Sequence, residues 1–82
     1  MRVEVKLPDL GLDDLEIVAS MWLVEVGAEV SEGDRVLEVL AGNITVDISA
    51  PASGIFAEAL VWEDEKLTTG QVLAIIETTS PA

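Results

Sequence analysis

The sequence predicts an all-β domain: two small sheets packed face to face and related by an internal repeat. Three observations carry this expectation. The apolar half of the composition is mostly valine, isoleucine and leucine, with two tryptophans and one phenylalanine, and β-branched side chains favour pleated sheet over helix. Apolar and polar residues alternate in short runs that end at glycine, proline or aspartate, the pattern of half-buried strands joined by turns. The chain also repeats itself. Val24-Glu25-Val26-Gly27-Ala28-Glu29-Val30-Ser31-Glu32-Gly33-Asp34 lies over Val61-Trp62-Glu63-Asp64-Glu65-Lys66-Leu67-Thr68-Thr69-Gly70-Gln71 at a constant offset of 37 residues, and Leu23 over Leu60, Val36 over Leu73 and Val39 over Ile76 extend it. Neither half could bury its apolar face alone, so two copies imply a pseudo-twofold sandwich and not a solenoid.

Taken in order, Val3, Val5 and Leu7 alternate with Arg2, Glu4 and Lys6, a half-buried strand that stops at Pro8. Residues 9–14 form a loop by their aspartates and Gly11. Residues 15–26 read as strand, because Ile17, Val18 and Val24 weaken the helix that a cap at Asp13 or Asp14 would otherwise start. Gly27-Ala28-Glu29 and Ser31-Glu32-Gly33-Asp34 are turns. Residues 36–41 and 44–48 are strands of a hairpin closed by Gly42-Asn43, two residues that tolerate the positive φ of primed turns. That register sets Ala41 against Ile44, Val39 against Val46 and Leu37 against Ile48 on one face, with Leu40–Thr45 and Glu38–Asp47 on the other. Pro51 and Gly54 bracket a corner, residues 55–62 are a strand, Glu63-Asp64-Glu65 and Thr69-Gly70-Gln71 turn the chain, and residues 72–77 close the sheet. The domain is assigned to residues 1–79, with 80–82 a polar tail or the start of a linker.

Composition excludes several classes of function. Eighty-two residues make one domain, and a chain of this length buries ~60–65% of its unfolded surface, enough for a small core. Cysteine and histidine are absent, which removes disulfides, thiolate and imidazole ligands and the usual general base near neutral pH. Four basic residues stand against 16 acidic ones, net −12, so nucleic acid and anionic membrane surfaces are repelled while basic protein faces are not. No apolar run reaches the roughly 18–20 residues of a membrane span, and the opening Met-Arg-Val-Glu-Val-Lys is not a signal peptide; a monomeric cytoplasmic domain is expected. The acidic groups Asp13, Asp14, Glu16 and Glu63, Asp64, Glu65 lack the spacing of a calcium loop and read as solvated turns, so no metal site is expected. The serines and threonines have no evident activating base. Trp22 and Trp62 read as partly buried strand residues, since no basic groove accompanies them. No catalytic residue is assigned, and the chain is expected not to be an enzyme.

Five segments in order carry a resemblance: Leu7-Pro8-Asp9-Leu10-Gly11, Trp22 to Val30, Ser31 to Val39, Ala50-Pro51-Ala52-Ser53-Gly54, and Gly70 to Glu77. In this order and spacing the chain resembles the biotinyl/lipoyl attachment domains, of the lipoyl type found in dihydrolipoyl acyltransferases, over residues 3–77. The resemblance implies a flattened barrel of two four-stranded antiparallel sheets, a barrel-sandwich hybrid, with the central hairpin tip at one end and both termini at the other. It also implies a lysine at that tip, joined by a ligase to lipoate or biotin, whose arm swings between active sites of a 2-oxo acid dehydrogenase or carboxylase complex and raises the local concentration of its cargo.

The family's Asp-Lys-Ala or Met-Lys-Met falls on Gly42-Asn43-Ile44. Asn43 therefore stands at the acceptor-lysine position, beside Gly42 in the turn, and an amide nitrogen is not acylated by a ligase. The whole run Leu40-Ala41-Gly42-Asn43-Ile44 departs from the usual Glu-Thr-Asp-Lys-Ala, and Leu12-Asp13-Asp14 stands where many lipoyl domains have Glu-Gly-Ile. The only lysines are Lys6 and Lys66, both read as solvated surface charges. The expectation is an unmodified docking or structural module with protein partners in a multienzyme complex and no lipoate or biotin of its own. The alternative is a working swinging-arm carrier of lipoate or biotin, modified at a non-standard lysine or served by a linked domain.

Overall fold

The computed structural model describes residues 1–12 and 14–78. They form eight strands: β1 Arg2–Lys6, β2 Ile17–Trp22, β3 Glu29–Val30, β4 Arg35–Ala41, β5 Ile44–Ser49, β6 Gly54–Ala59, β7 Lys66–Leu67 and β8 Val72–Glu77. The strands make two four-stranded antiparallel sheets, ordered β1-β8-β6-β3 and β5-β4-β2-β7. The expected all-β sandwich is thus met, including the number of strands in each sheet.

The internal repeat is structural down to single hydrogen bonds. Laying β2 over β6, β3 over β7, β4 over β8 and β5 over β1 turns one sheet order into the other. Bulges fall at matching places: β2 shifts register between Ala19 and Met21, and β6 between Phe56 and Glu58. Leu23 N–H donates to Val36 C=O as Leu60 N–H donates to Leu73 C=O, each at 2.9 Å. Ser31 N–H donates to the Asp34 carboxylate at 2.8 Å, and Thr68 N–H to the Gln71 side-chain oxygen at 2.9 Å. Even the backbone strain matches, since Gly27 with φ 97° corresponds to Asp64 with φ 74°. Aspartate tolerates the left-handed region better than most residues, which is why the second copy manages without glycine.

The core lies between the sheets. Val5, Leu7, Leu37, Val39, Phe56, Leu73 and Ile76 are all inaccessible or nearly so, and among the described residues no polar or charged side chain is buried. Each such aliphatic or aromatic burial is worth about 1.5–3 kcal/mol. Trp22 tilts against Phe56 with centroids 5.3 Å apart at 57°, a favourable edge-oriented geometry. The bulges raise the apolar yield per strand: in β4, consecutive Val36 and Leu37 are both fully buried.

Two expected strands are shorter than their apolar runs. Residues 15–26 contain only the six-residue β2, and the strand expected at 55–62 is β6, Gly54–Ala59, which stops three residues short. In both, the chain leaves the ladder after its bulge and crosses to the other sheet, where it pairs for two residues as β3 or β7. Glu29, expected in a turn, therefore opens β3 opposite Ile55. Trp62, expected as a partly buried strand residue, is 82% exposed, because it lies in the second crossing. The 80–82 tail and Asp13 lie outside the described residues.

The hairpin tip and the two ends of the described chain, Met1 and Thr78, are at opposite ends of the molecule. The β4–β5 ribbon runs from Gly42-Asn43 back to the corner after Ser49, and the next strand begins at Gly54. A Cβ on Gly54 would stand 2.3 Å from Glu77 O and 2.9 Å from Thr78 Cα, and Thr78 N–H donates to Met1 C=O at 2.8 Å. The corner farthest from the tip thus rests against both ends of the described chain.

Candidate functional site

The ribbon that ends in Gly42-Asn43 has the register read from the sequence: Leu37 pairs with Ile48, Glu38 with Asp47, Val39 with Val46, Leu40 with Thr45 and Ala41 with Ile44. Along the edge strand β5 burial fades toward the tip, from Ile48 at 4% exposed to Ile44 at 49%, whereas Ala41, opposite Ile44 on β4, stays fully buried in the core. The turn itself is exposed, held by its own ladder and by one loop.

Within the turn Gly42 has φ 60° and Asn43 is not among the positive-φ residues. Positive φ at the first central position alone is the type II′ pattern, which asks for glycine at that position and leaves the second free. Gly42 is thus required by the backbone, whereas Asn43 is not; it is exposed, and its φ lies outside the left-handed region.

The loop between β1 and β2 closes over one side of the tip. Asp9 accepts a hydrogen bond from Gly11 N–H at 2.9 Å, Leu15 N–H donates to Leu12 C=O at 2.9 Å, and Leu10 and Leu12 pack against the core. Leu15 then sits on Gly42: a Cβ there would meet its two methyls at 3.4 Å. Gly42 N–H points to Glu16 C=O at 3.4 Å. Sequence reasoning placed Leu15 as the first strand residue, and the alternation contained no signal that it belongs to the tip.

The two lysines occupy different settings. Lys6 ends β1 in the sheet without the hairpin, 3.6 Å from Glu4. Lys66 opens β7 opposite Val18, which pairs on its other side with Leu40. Two strand spacings, about 10 Å, therefore separate Lys66 from the hairpin. Its ammonium is 2.9 Å from Glu16, and the hydrogen bond and charge of that carboxylate hold its pKa above the usual lysine value.

The acidic turns serve the backbone. Glu63 accepts from Trp22 N–H at 3.1 Å, and Glu65 accepts from Trp62 N–H at 3.0 Å. Asp14 and Glu16 remain from the first acidic group. Among the described residues no three carboxylates converge as metal ligands would.

An antiparallel barrel-sandwich with an exposed two-residue hairpin tip, braced by a neighbouring loop, defines the class of small barrel-sandwich β domains. Residues 3–76 match the biotin/lipoyl family model, described as "Biotin-requiring enzyme", and the chain belongs to that family. It is 34% identical over 70 residues to the dihydrolipoyllysine-residue acetyltransferase component of the acetoin cleaving system of Pseudomonas putida, covering 85% of this chain and 19% of that protein. It is 33% identical over 76 residues to the acetyltransferase component of the pyruvate dehydrogenase complex of Corynebacterium glutamicum, covering 93% of this chain and 11% of that protein. The chain thus spans less than a fifth of the length of either relative. The solution structure of the lipoyl domain of the 2-oxoglutarate dehydrogenase complex of Azotobacter vinelandii superposes with a TM-score of 0.72 at 18% identity, covering 94% of this chain and 99% of that one. A segment of a single-chain, multi-domain long-chain acyl-CoA carboxylase superposes with a TM-score of 0.78 at 17% identity, covering 99% of this chain and 7% of that one.

Proposed function

We propose that residues 1–79 form a lipoyl-type module that is not itself loaded, with Asn43 at the acceptor position, and that it acts as a docking or structural unit in a multienzyme assembly. The observation that carries this reading is the occupant of the tip. The exposed second position of the hairpin turn holds a carboxamide, whose nitrogen lone pair is delocalised into its carbonyl and cannot attack an activated acyl group. The module has no catalytic role and takes neither lipoate nor biotin. Its relatives are named as components of acyltransferase complexes, and protein partners of that kind fit a chain with net charge −12.

The alternative, a working arm on another lysine, is disfavoured by chemistry. Acylation needs the neutral amine, and the Glu16 carboxylate raises the Lys66 pKa, which shrinks the neutral fraction near pH 7 below that of a free lysine. Lys6 lies on a strand of the other sheet beside Glu4. Co-expression with lipoate and biotin ligases, read by intact-protein mass spectrometry, tests the reading. The expected result is the unmodified mass for the natural chain. An adduct mapped to Lys6 or Lys66 overturns it. The Asn43→Lys variant, whose backbone needs no left-handed conformation at that position, is expected to fold unchanged and supplies an amine at the tip for comparison.

A further inference from the structure

The surface away from the hairpin tip carries a feature that the fold does not require. Trp62 is the most exposed large apolar side chain among the described residues, at 82%, and Leu60 beside it is 47% exposed. With Trp22, Ala59, Val61 and Glu63 they line one groove. In the repeat, Trp62 corresponds to Glu25, and the two residues make the same turn: Glu25 C=O accepts from Ala28 N–H at 3.0 Å and Trp62 C=O from Glu65 N–H at 3.1 Å. The first copy forms that turn without an indole. The tryptophan is therefore not there to build the crossing.

Charge sharpens the point. Every basic side chain of the chain is already engaged: Arg2 with Glu58 and Glu77, Lys6 with Glu4, Arg35 with Asp47 and Lys66 with Glu16. Among the described residues none of these pairs reaches Glu63, Asp64 or Glu65, the three carboxylates that follow Trp62. Two of them cap backbone N–H groups, and Asp64 stands at the bend with φ 74°. An exposed indole next to three acidic residues that no cation of the chain reaches is complementary to a cation from outside.

We propose that Trp62 and the 63–65 turn form a docking surface for a cationic segment of a partner protein. An arginine guanidinium lies on the Trp62 indole and pairs with the acidic turn, and an apolar neighbour enters the groove beside Leu60. A planar guanidinium suits this better than an ammonium, because it stacks on the ring and pairs with carboxylates at once. Nucleic acid and anionic membranes carry the wrong charge, and a second copy of this chain repels the first. The proposal rests on the reading of the chain as a docking module, and not on whether any lysine is loaded.

The test is an NMR titration of the isotope-labelled chain with the amidated peptide Gly-Arg-Leu-Arg-Gly, with lysine and glutamate versions as controls. Expected are saturable shifts of the Trp62 indole N–H and of amides 60–65, an affinity that falls with salt, and several-fold weaker binding of the lysine peptide. Removing a stacked tryptophan from an interface centre weakens binding by roughly tenfold or more, so Trp62→Ala should lose at least that factor. Asp64→Asn, which keeps the left-handed bend, should lose a few-fold and serves if the first variant does not fold. Unchanged affinity in Trp62→Ala or, where that variant does not fold, in Asp64→Asn overturns the proposal. So do shifts centred on the hairpin tip or spread over the outer sheet faces, or a Trp62-dependent dimer without peptide. Failure here leaves the ligase result untouched, and an adduct there leaves this titration untouched.

Discussion

Glycine has two different jobs at Gly42 and Gly54. Gly42 supplies a left-handed conformation at φ 60°, and its nearest neighbour is the flexible Leu15 side chain at ordinary contact distance. Gly54 has no unusual φ; it supplies space, since an added Cβ would overlap the Glu77 carbonyl. Backbone cannot step aside as a side chain can. Gly42→Ala should therefore cost about 1 kcal/mol, the left-handed penalty, whereas Gly54→Ala should cost about 3 kcal/mol by forcing the β8 terminus away from β6. For a domain this small, ~3 kcal/mol corresponds to a fall in Tm of roughly 15 °C. Thermal melts of the two variants that come out equal would show that the Glu77–Thr78 backbone yields freely. The Pro51-Ala52-Ser53-Gly54 run announced a corner in the sequence, but the packing reason for its glycine is a contact with a residue 23 positions away, and local pattern carries no such information.

Among the elements, β7 is tied to the rest of its sheet by an exposed pair whose lysine has a raised pKa. Its two residues make few ladder bonds, and Lys66 ties it to Glu16 just ahead of β2. The folded pKa of Lys66 lies above the ordinary 10.5, so the pair's contribution is fully present below that value and is lost as pH rises through the folded one. Lys66→Gln should accordingly melt below the natural chain at pH 8–10, and the difference should vanish above the raised pKa. A difference that persists undiminished at pH 12 would assign it to packing by the lysine stem. Legibility also divides by element. The β4–β5 ribbon was readable residue by residue, because a two-residue turn fixes register and the side-chain period fixes the faces. The crossings were not. Leu23 to Val26 and Leu60 to Trp62 are as apolar as the strands they follow, and the point at which they leave is set by bulges whose partners, Val39 and Ile76, lie far along the chain. The tip's occupant could be read from Asn43 alone, while its brace by Leu15 and Glu16 depends on a loop fold that no motif encodes.

For the whole molecule the governing quantities are the repeat and the charge. The repeat made the architecture visible before any pairing was known, since matched turns at one offset leave few ways to bury both halves. The charge works against the compact state: 16 acidic residues against four basic ones repel one another across a radius of gyration of only 12.5 Å. Salt shortens the reach of that repulsion from about 30 Å at 0.01 M to about 8 Å at 0.15 M. Raising sodium chloride across this range should lift Tm by several degrees, and a flat or falling Tm would mean that the ion pairs, six among the described residues, outweigh the net repulsion.

The adjacency of Met1 and Thr78 has a mechanical consequence. β1 and β8 are antiparallel neighbours, with Arg2 opposite Glu77 and Lys6 opposite Val72, so Met1 and Thr78, the two ends of the described chain, lie side by side. Tension applied between those ends would load the rungs of this ladder one after another, as in a zipper, and not all at once in shear. β1 would peel away first under a small force, while the hairpin at the far end, outside the line of pull, would keep its shape.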